Sequence, residues 1–208
     1  MTDSRDCCVY LVDGGGELAL IDAGLGYSYR QILNNIKEIG LDVSRLKCVV
    51  ATHGHIDHIG GLHRFQPRGA KVVCHELEEG AVARGIPGLT AEAYYGVRYR
   101  PVSIDIALKG ETQKLPVGDL VLHCPLTPGH TPGGISPYLD VEGTRVLFGQ
   151  DIHGPFDDSW GSDMDKWKAS MEMLLGLNAD ILCEGHFGIY RPAREVRRYI
   201  ERHMRYFT

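Results

Sequence analysis

The feature that most constrains this fold is one stretch, Thr52-His53-Gly54-His55-Ile56-Asp57-His58, in which four metal-binding side chains fall within six residues. It follows Leu46 to Ala51, an apolar run that is typical of a buried β-strand. Two glycines and a helical pattern through Leu62 and Phe65 come after it. The cluster is therefore expected on a loop at the end of a strand, where a rigid scaffold commonly presents functional groups.

The spacing of these side chains suggests how they would be shared between metal ions. In an extended backbone, His53, His55 and Asp57 point to one side and His58 points elsewhere, because side chains alternate with a period of two. One ion would then take His53 and His55, and a second would take Asp57 and His58. The alternative is a polar loop of solvated histidines, which four ligand-type side chains at this spacing disfavour.

Further metal-binding side chains follow other apolar runs. His130 comes after the predicted strand Leu120 to Cys124, within a loop rich in proline and glycine. Asp151 ends the run from Val146, and His186 follows Asp180 to Leu182. Each site has the same form, an apolar strand, then small residues, then the polar side chain.

This ordered set of motifs resembles the metallo-β-lactamase-fold hydrolase superfamily. The segments Thr127 to Thr131 and Leu20 to Gly24 further resemble its glyoxalase II-like branch. The match covers roughly Cys7 to Phe187. The resemblance implies an α/β fold, the four-layered αβ/βα sandwich, and we expect a single domain over residues 1–208.

The resemblance also implies a role for each polar side chain. Metal 1 would be bound by His53, His55 and His130, and metal 2 by Asp57, His58 and His186. Asp151 would bridge the two ions, and Asp22 would orient the ligands from behind. The cofactors expected are two divalent ions, zinc first, although iron or manganese suits the same ligands.

Such a site predicts a hydrolase. Two ions about 3.5–4 Å apart can bridge a water molecule and lower its pKa to about 7. The resulting hydroxide would attack the carbonyl of an ester, thioester or lactone of a small acyl substrate. Asp57 and Asp151 are the predicted catalytic residues, because Asp151 bridges the metals and Asp57 orients the nucleophile.

Two other functions fit parts of the pattern. A persulfide dioxygenase-like oxidoreductase of the same fold would hold one iron with the metal 1 ligands alone. A non-catalytic metal-binding module would need no complete set of ligands, which disfavours it here.

Two segments rich in large side chains are candidates for a substrate pocket. They run from Gly85 to Tyr99 and from Gly154 to Gly161. Their predicted pocket residues are Tyr94, Tyr95, Tyr99, Phe156 and Trp160. The alternative is that the tyrosines only pack a surface helix. His153, two residues after Asp151, is a further candidate as a supporting group or proton donor.

Composition narrows the classes of binding partner that are expected. A net charge of -5 gives no electrostatic reason to expect nucleic acid or an anionic membrane. A small-molecule substrate is expected, and a homodimer is left open. No stretch has the apolar length of a membrane span, and Met1 to Asp6 lacks the apolar centre of a signal peptide, so a cytoplasmic location is predicted.

The remaining histidines and the cysteines are expected to be structural. His63, His75, His123 and His203 fit no ligand position in the motifs. The six cysteines form no Cys-x-x-Cys pair, and several lie in apolar runs where a thiol behaves as a small hydrophobic group.

Overall fold

A computed structural model describes residues 5–207, and within this range the strands form two sheets. The first sheet contains, in spatial order, β1 (Tyr10–Asp13), β2 (Leu18–Ile21), β3 (Leu46–Val50), β4 (Lys71–His75) and β5 (Ile106–Leu108). The second contains, in spatial order, β11 (Ile189–Tyr190), β10 (Ile181–Glu184), β9 (Thr144–Gln150), β8 (Tyr138–Val141), β7 (Leu120–Pro125) and β6 (Thr112–Val117).

Three longer helices and several single-turn helices accompany the sheets. The longer ones are α1 (Tyr29–Glu38), α7 (Met164–Gly176) and α8 (Ala193–Tyr206). The short ones are α2 (Ile56–Ile59), α3 (Leu62–Phe65), α4 (Glu79–Val82), α5 (Pro87–Thr90) and α6 (Glu92–Tyr95).

Side-chain alternation along the strands produces the layers. In β3, Val49 packs outward in a cluster with residues of α1, α2 and α3, whereas Cys48 and Val50 pack inward against the second sheet. In β9, Phe148 packs inward, whereas Leu147 packs outward in a cluster with α7 and α8. Three apolar interfaces therefore separate four layers, helix, sheet, sheet and helix, which confirms the predicted αβ/βα sandwich.

Strand direction brings the functional loops to one edge. β2, β3 and β4 are parallel neighbours in the first sheet, and β9 and β10 are parallel in the second. β7 also runs in the direction of β9, because β8 is antiparallel to both. The two sheets are joined at this edge, where Ile135 N donates a hydrogen bond to Thr52 O over 2.9 Å.

Two apolar runs, Cys7 to Val12 and Val102 to Leu108, are predicted as strands by their sequence pattern, and both strands are shorter in the structure. The run from Cys7 to Val12 becomes a strand only at Tyr10, because Cys8 N donates to Gly185 O near the site instead of joining the sheet ladder. The run from Val102 to Leu108 is a strand only from Ile106, since Val102 N donates to Val82 O outside the sheet. The runs Leu18 to Ile21 and Lys71 to His75, which the same pattern predicts as strands, form β2 and β4 over these residues.

The cysteines and the chain ends bear on two further expectations. All six cysteines are free and buried, as expected for structural thiols. No helix between residues 5 and 207 is long and apolar enough to cross a membrane. The cytoplasmic prediction rests partly on Met1 to Asp6, and residues 1–4 lie outside the described range.

A close approach between the His130 loop and α7 generates the first prediction. Gly129 has φ +144°, and a Cβ there would overlap Cα and Cβ of Trp167. Gly129→Ala should lower the free energy of unfolding by about 2–3 kcal/mol, because helix backbone cannot yield. Gly176→Ala is the matched control, since nothing lies within 4 Å of its added Cβ. Urea unfolding measures both, and equal stabilities would contradict this packing.

Candidate metal centre

The backbone changes conformation inside the histidine-rich stretch. His55 is still extended, with φ -75° and ψ 144°, but α2 begins at Ile56. The prediction of an extended segment through Asp57 is therefore wrong. Asp57 and His58 project from one helical turn instead, and this turn lets two consecutive side chains reach the same group of ligands.

Four buried side chains form a first group: His53, His55, His130 and Asp151. The candidate ligand atoms of this group all lie within 4.8 Å of one another. His130 Nε2 is 2.9 Å from His55 Nδ1 and 3.5 Å from Asp151 Oδ2. His53 Nε2 is 4.0 Å from the same carboxylate oxygen.

A second group contains Asp57, His58 and His186. His186 Nε2 lies 3.3 Å from both His58 Nε2 and Asp57 Oδ2. His58 Nε2 is 3.5 Å from Asp57 Oδ2. The side chain of His186 is 23% exposed, whereas those of Asp57 and His58 are at most 2% exposed, so this group is open to solvent on the His186 side.

Asp151 lies between the two groups and faces both. Its Oδ2 atom faces His53 and His130, whereas its Oδ1 atom is 3.2 Å from both His58 Nε2 and His186 Nε2. The structure thus brings together all seven side chains that the sequence motifs pointed to.

The groups suit metal ions on two observations. His53 Nε2, Asp57 Oδ2 and Asp151 Oδ1 are buried and make no hydrogen bond, which is costly unless another group satisfies them. Ligands about 2.0–2.2 Å from a tetrahedral zinc ion are about 3.3–3.6 Å apart, close to the distances seen here. The cluster therefore implies divalent metal ions, and its donors suit zinc, iron or manganese.

Electrostatics differ between the groups. Burial lowers the pKa of His53 well below its usual value, that of His55 to about 3, and that of His130 below 6.5. These imidazoles are neutral near pH 7 and keep a lone pair for a metal. Burial opposes ionisation in the second group as well. There, the adjacent carboxylates of Asp151 and Asp57 raise the pKa of His186 to about 10.

Asp22 supports the cluster from behind. Its Oδ2 atom is 2.8 Å from His58 Nδ1, and its Oδ1 atom accepts a hydrogen bond from Thr52 N over 2.8 Å. The backbone of Asp22 has φ 64°, a conformation that Asp tolerates better than most residues. Contact with His58 fixes the ring so that Nε2 faces the cluster, as predicted for a carboxylate that orients a ligand.

Cys7 lies behind the cluster too, within ligand distance of Asp22 and His58. Burial raises the pKa of its thiol to about 12. It is therefore a neutral thiol near pH 7 and a poor metal ligand, because the thiolate is the form that binds metals.

Glu78 is a supporting residue that the sequence did not reveal. It is 4% exposed, and burial raises the pKa of its carboxyl group. Its Oε1 atom accepts a 2.8 Å hydrogen bond from Gly133 N, and the side chain also accepts from Gly54 N. Glu78 thereby ties the loop of His53 and His55 to the loop of His130. Its position in an acidic run resembles a solvated surface, so no sequence signal identified it.

Glu184 supports the His186 loop and was also missed. This fully buried carboxylate accepts hydrogen bonds from His186 N over 2.6 Å and from Phe187 N over 2.7 Å. Its other oxygen is 2.6 Å from His153 Nδ1. His153 thus stands beside the cluster, with its ring centre 5.6 Å from that of His186. The available sequence signal was an acid at the end of an apolar run, two residues before the predicted ligand His186.

Aromatic side chains cover the first group. The Trp160 ring lies edge-on to His55 at 4.5 Å and to His130 at 5.8 Å between centres. The Phe156 ring is 6.3 Å from that of His130. Tyr94 is 68% exposed, and its ring lies 5.3 Å from Trp160. Trp160 is therefore a wall of the cluster, and Tyr94 lies outside it.

The other two predicted pocket tyrosines have different positions. Tyr95 is half-buried, and burial together with the nearby Asp57 carboxylate raises its pKa. Tyr99 is 5% exposed, packs in the core, and donates a 3.0 Å hydrogen bond to Val82 O. The prediction that Tyr99 lines the pocket is wrong, since its side chain points into the first sheet's helical layer.

The histidines expected to be structural lie outside the two groups. His75 Nε2 is 3.1 Å from Gly110 O, and His63 Nδ1 is 2.8 Å from Gly60 O. His123 stacks on Tyr138, and His203 packs against Tyr199.

The contacts of Glu78 generate the second prediction. In Glu78→Gln, the amide NH2 would face the N–H group of Gly54 or Gly133, so one buried donor loses its acceptor. The free energy of unfolding should fall by about 1–3 kcal/mol, and metal affinity should fall with it. Glu79→Gln removes the same charge from an exposed neighbour and should change stability by less than about 0.5 kcal/mol. Equal stability of both variants in urea unfolding would contradict the role of Glu78.

Comparisons with known proteins agree with this geometry. The chain is 30% identical to the acyl-coenzyme A thioesterase MBLAC2 of Homo sapiens, over 91% of this chain and 76% of that protein. It is 32% identical to a hydroxyacylglutathione hydrolase of Anaeromyxobacter dehalogenans, over 71% of this chain and 47% of that protein.

The fold is shared with a solved metallo-β-lactamase from Cronobacter sakazakii, an HARLDQ motif mutant, at a TM-score of 0.83 and 20% identity. The alignment covers 97% of this chain and 87% of that one. A family model described as the metallo-beta-lactamase superfamily matches residues 3–186. The chain, with its two-sheet sandwich and its edge cluster of histidines and aspartates, belongs to the metallo-β-lactamase superfamily.

Proposed function

We propose that this protein is a dinuclear metal-dependent hydrolase of ester-type bonds, with a thioester of a small acyl group as the preferred substrate class. One observation carries the proposal: the two oxygens of Asp151 face two separate groups of ligands. In this assignment His53, His55 and His130 hold metal 1, whereas Asp57, His58 and His186 hold metal 2.

The protein groups have distinct tasks in the proposed reaction. Two bound divalent ions would lower the pKa of a water molecule to about 7 and polarise a carbonyl group. Asp57 presents Oδ2 to the open side of the cluster, and the Tyr95 hydroxyl group lies near this carboxylate. Glu184 holds His153 beside the same opening, where its ring can meet the departing group.

The shape of the site supports a substrate that enters from the His186 side. Trp160 and Phe156 close the metal 1 side, which excludes water from the reacting carbonyl. His186 is the most exposed of the seven side chains. The next most exposed, His130 and Asp151, expose only 8% and 7% of their side chains. The relatives named for hydrolysis of acyl-coenzyme A and hydroxyacylglutathione support a thioester in particular.

The dioxygenase-like alternative would require only the metal 1 ligands. The metal 2 group argues against it, since Asp57, His58 and His186 lie 3.3–3.5 Å apart with Asp57 Oδ2 buried and unsatisfied. A non-catalytic metal module would not explain why this group opens to solvent.

The proposal predicts the metal content of four proteins. The wild type should bind two ions per chain. Asp151→Ala should weaken both sites, because it removes the shared carboxylate, and His186→Ala should lose mainly one ion. His75→Ala, a buried histidine outside the cluster, should keep two. Elemental analysis after saturation and dialysis measures all four. A single iron that is unaffected by His186→Ala, with oxygen uptake on a persulfide, would favour the dioxygenase.

Activity tests the proposed reaction directly. The wild-type protein loaded with zinc, iron or manganese is assayed on matched acyl esters, thioesters and lactones. We expect the thioester to be the best substrate, and Asp57→Asn to lower kcat by about 100-fold or more, since one ligand of metal 2 is weakened. No hydrolysis of any member by any metal form would contradict the proposal.

A further inference from the structure

A cavity of about 270 Å³ lies on the other side of α2 from the metal cluster. Its walls come from the loop after β2, from α2 and α3, and from the segment that follows α6. Its ionisable lining side chains, apart from Tyr27, are all basic: His63, Arg64, Arg98 and Arg100. None of the lining residues is acidic.

Within residues 5–207, the three arginines of this cavity share the lack of a carboxylate partner with several other exposed arginines, but these three meet around one cavity. Arg45, Arg145 and Arg198 each make an ion pair with a carboxylate at 2.7–2.9 Å. Arg64, Arg98 and Arg100 make no ion pair within 4.0 Å to any carboxylate in the described part of the chain. The protein has a net charge of -5, so such a concentration of unpaired positive charge is not a consequence of composition.

Two neighbouring groups contribute to the wall of the cavity. The Arg5 guanidinium group lies 5.6 Å from the centre of the Tyr27 ring at the cavity wall. Burial lowers the pKa of His63, and the charges of Arg64 and Arg100 lower it further. His63 Nδ1 donates to Gly60 O over 2.8 Å, which fixes the ring in the wall. A cavity lined by several cationic donors and by no acidic residue favours an anion.

The position of the cavity relates it to the metal cluster. Ile56 is the first residue of α2 and Gly60 follows its last residue; both line the cavity, whereas Asp57 and His58 of this helix face the cluster. The segment Gly96 to Arg98 lines the cavity directly after Tyr95, whose hydroxyl group lies near Asp57. One helical turn and one tyrosine thus separate the arginines from the metal 2 group.

We propose that this cavity binds an oxyanion, a phosphate or a carboxylate, on the leaving group of the substrate. The inference rests on the proposed function, because it concerns a substrate whose acyl group is at the metals. The arginines would select thioesters with a charged thiol carrier over those with a neutral one. Guanidinium groups suit both anions, because their planar N–H groups can make paired hydrogen bonds to two oxygens.

Matched thioesters test the proposal on the metal-loaded enzyme. One acyl group is offered on a neutral carrier (N-acetylcysteamine), on a carboxylate carrier (glutathione) and on a phosphate carrier (coenzyme A). Arg98→Gln and Arg100→Gln should each raise KM about tenfold for at least one charged carrier, with little change in kcat or in hydrolysis of the neutral thioester. The charged carrier that responds identifies the anion. Arg202→Gln, an exposed arginine on α8, is the control and should change none of these values.

The outcomes separate this inference from the proposed function. If both cavity variants affect the three thioesters equally, or affect none, the cavity does not recognise the carrier and the inference is wrong. If no thioester is hydrolysed, the thioester preference of the proposed function fails. Binding of inorganic pyrophosphate then tests the cavity alone by calorimetry. Binding should weaken about tenfold in Arg98→Gln relative to wild type and Arg202→Gln, and unchanged binding would overturn the inference.

Discussion

The structure depends most on the placement of one buried carboxylate between five imidazoles and a second carboxylate. Asp151 turns one oxygen to each group, and neither group is complete without it. Burying so many polar groups is costly unless each is paired or binds a metal. The sandwich offsets this cost with three apolar interfaces, and its strands bring the loops of Asp22, His53, His130, Asp151 and His186 to one edge.

The proposed ligand side chains at this edge are held in position by buried carboxylates that are not themselves proposed to bind metal. Asp22 fixes the ring of His58, Glu78 joins two ligand loops through backbone N–H groups, and Glu184 holds the backbone of the His186 loop. Each is buried and uses its charge on a donor behind the cluster. Metal ligands that are supported in this way keep their geometry when the metal is exchanged or the substrate binds.

The sequence predicted well which side chains meet at this edge, because their signal is local. A short apolar run followed by small residues and a histidine or aspartate indicates a strand end, and Asp151 and His186 both follow this rule. Prediction from the sequence failed where the structure depends on contacts between residues far apart in the chain. Glu78 lies in an acidic run that looks solvated, yet it is buried by loops around residues 54 and 133. Tyr95 and Tyr99 look equivalent in sequence, but one reaches Asp57 and the other packs in the core.

The central claim is that Asp151 is shared by two metal ions, and anomalous X-ray diffraction from crystals of the zinc-loaded protein tests it most directly. Two anomalous peaks are expected about 3.5–4 Å apart, one beside each oxygen of Asp151. One peak should have His53, His55 and His130 around it, and the other should have Asp57, His58 and His186. A single peak surrounded by His53, His55 and His130, in crystals grown with excess metal, would contradict a shared Asp151.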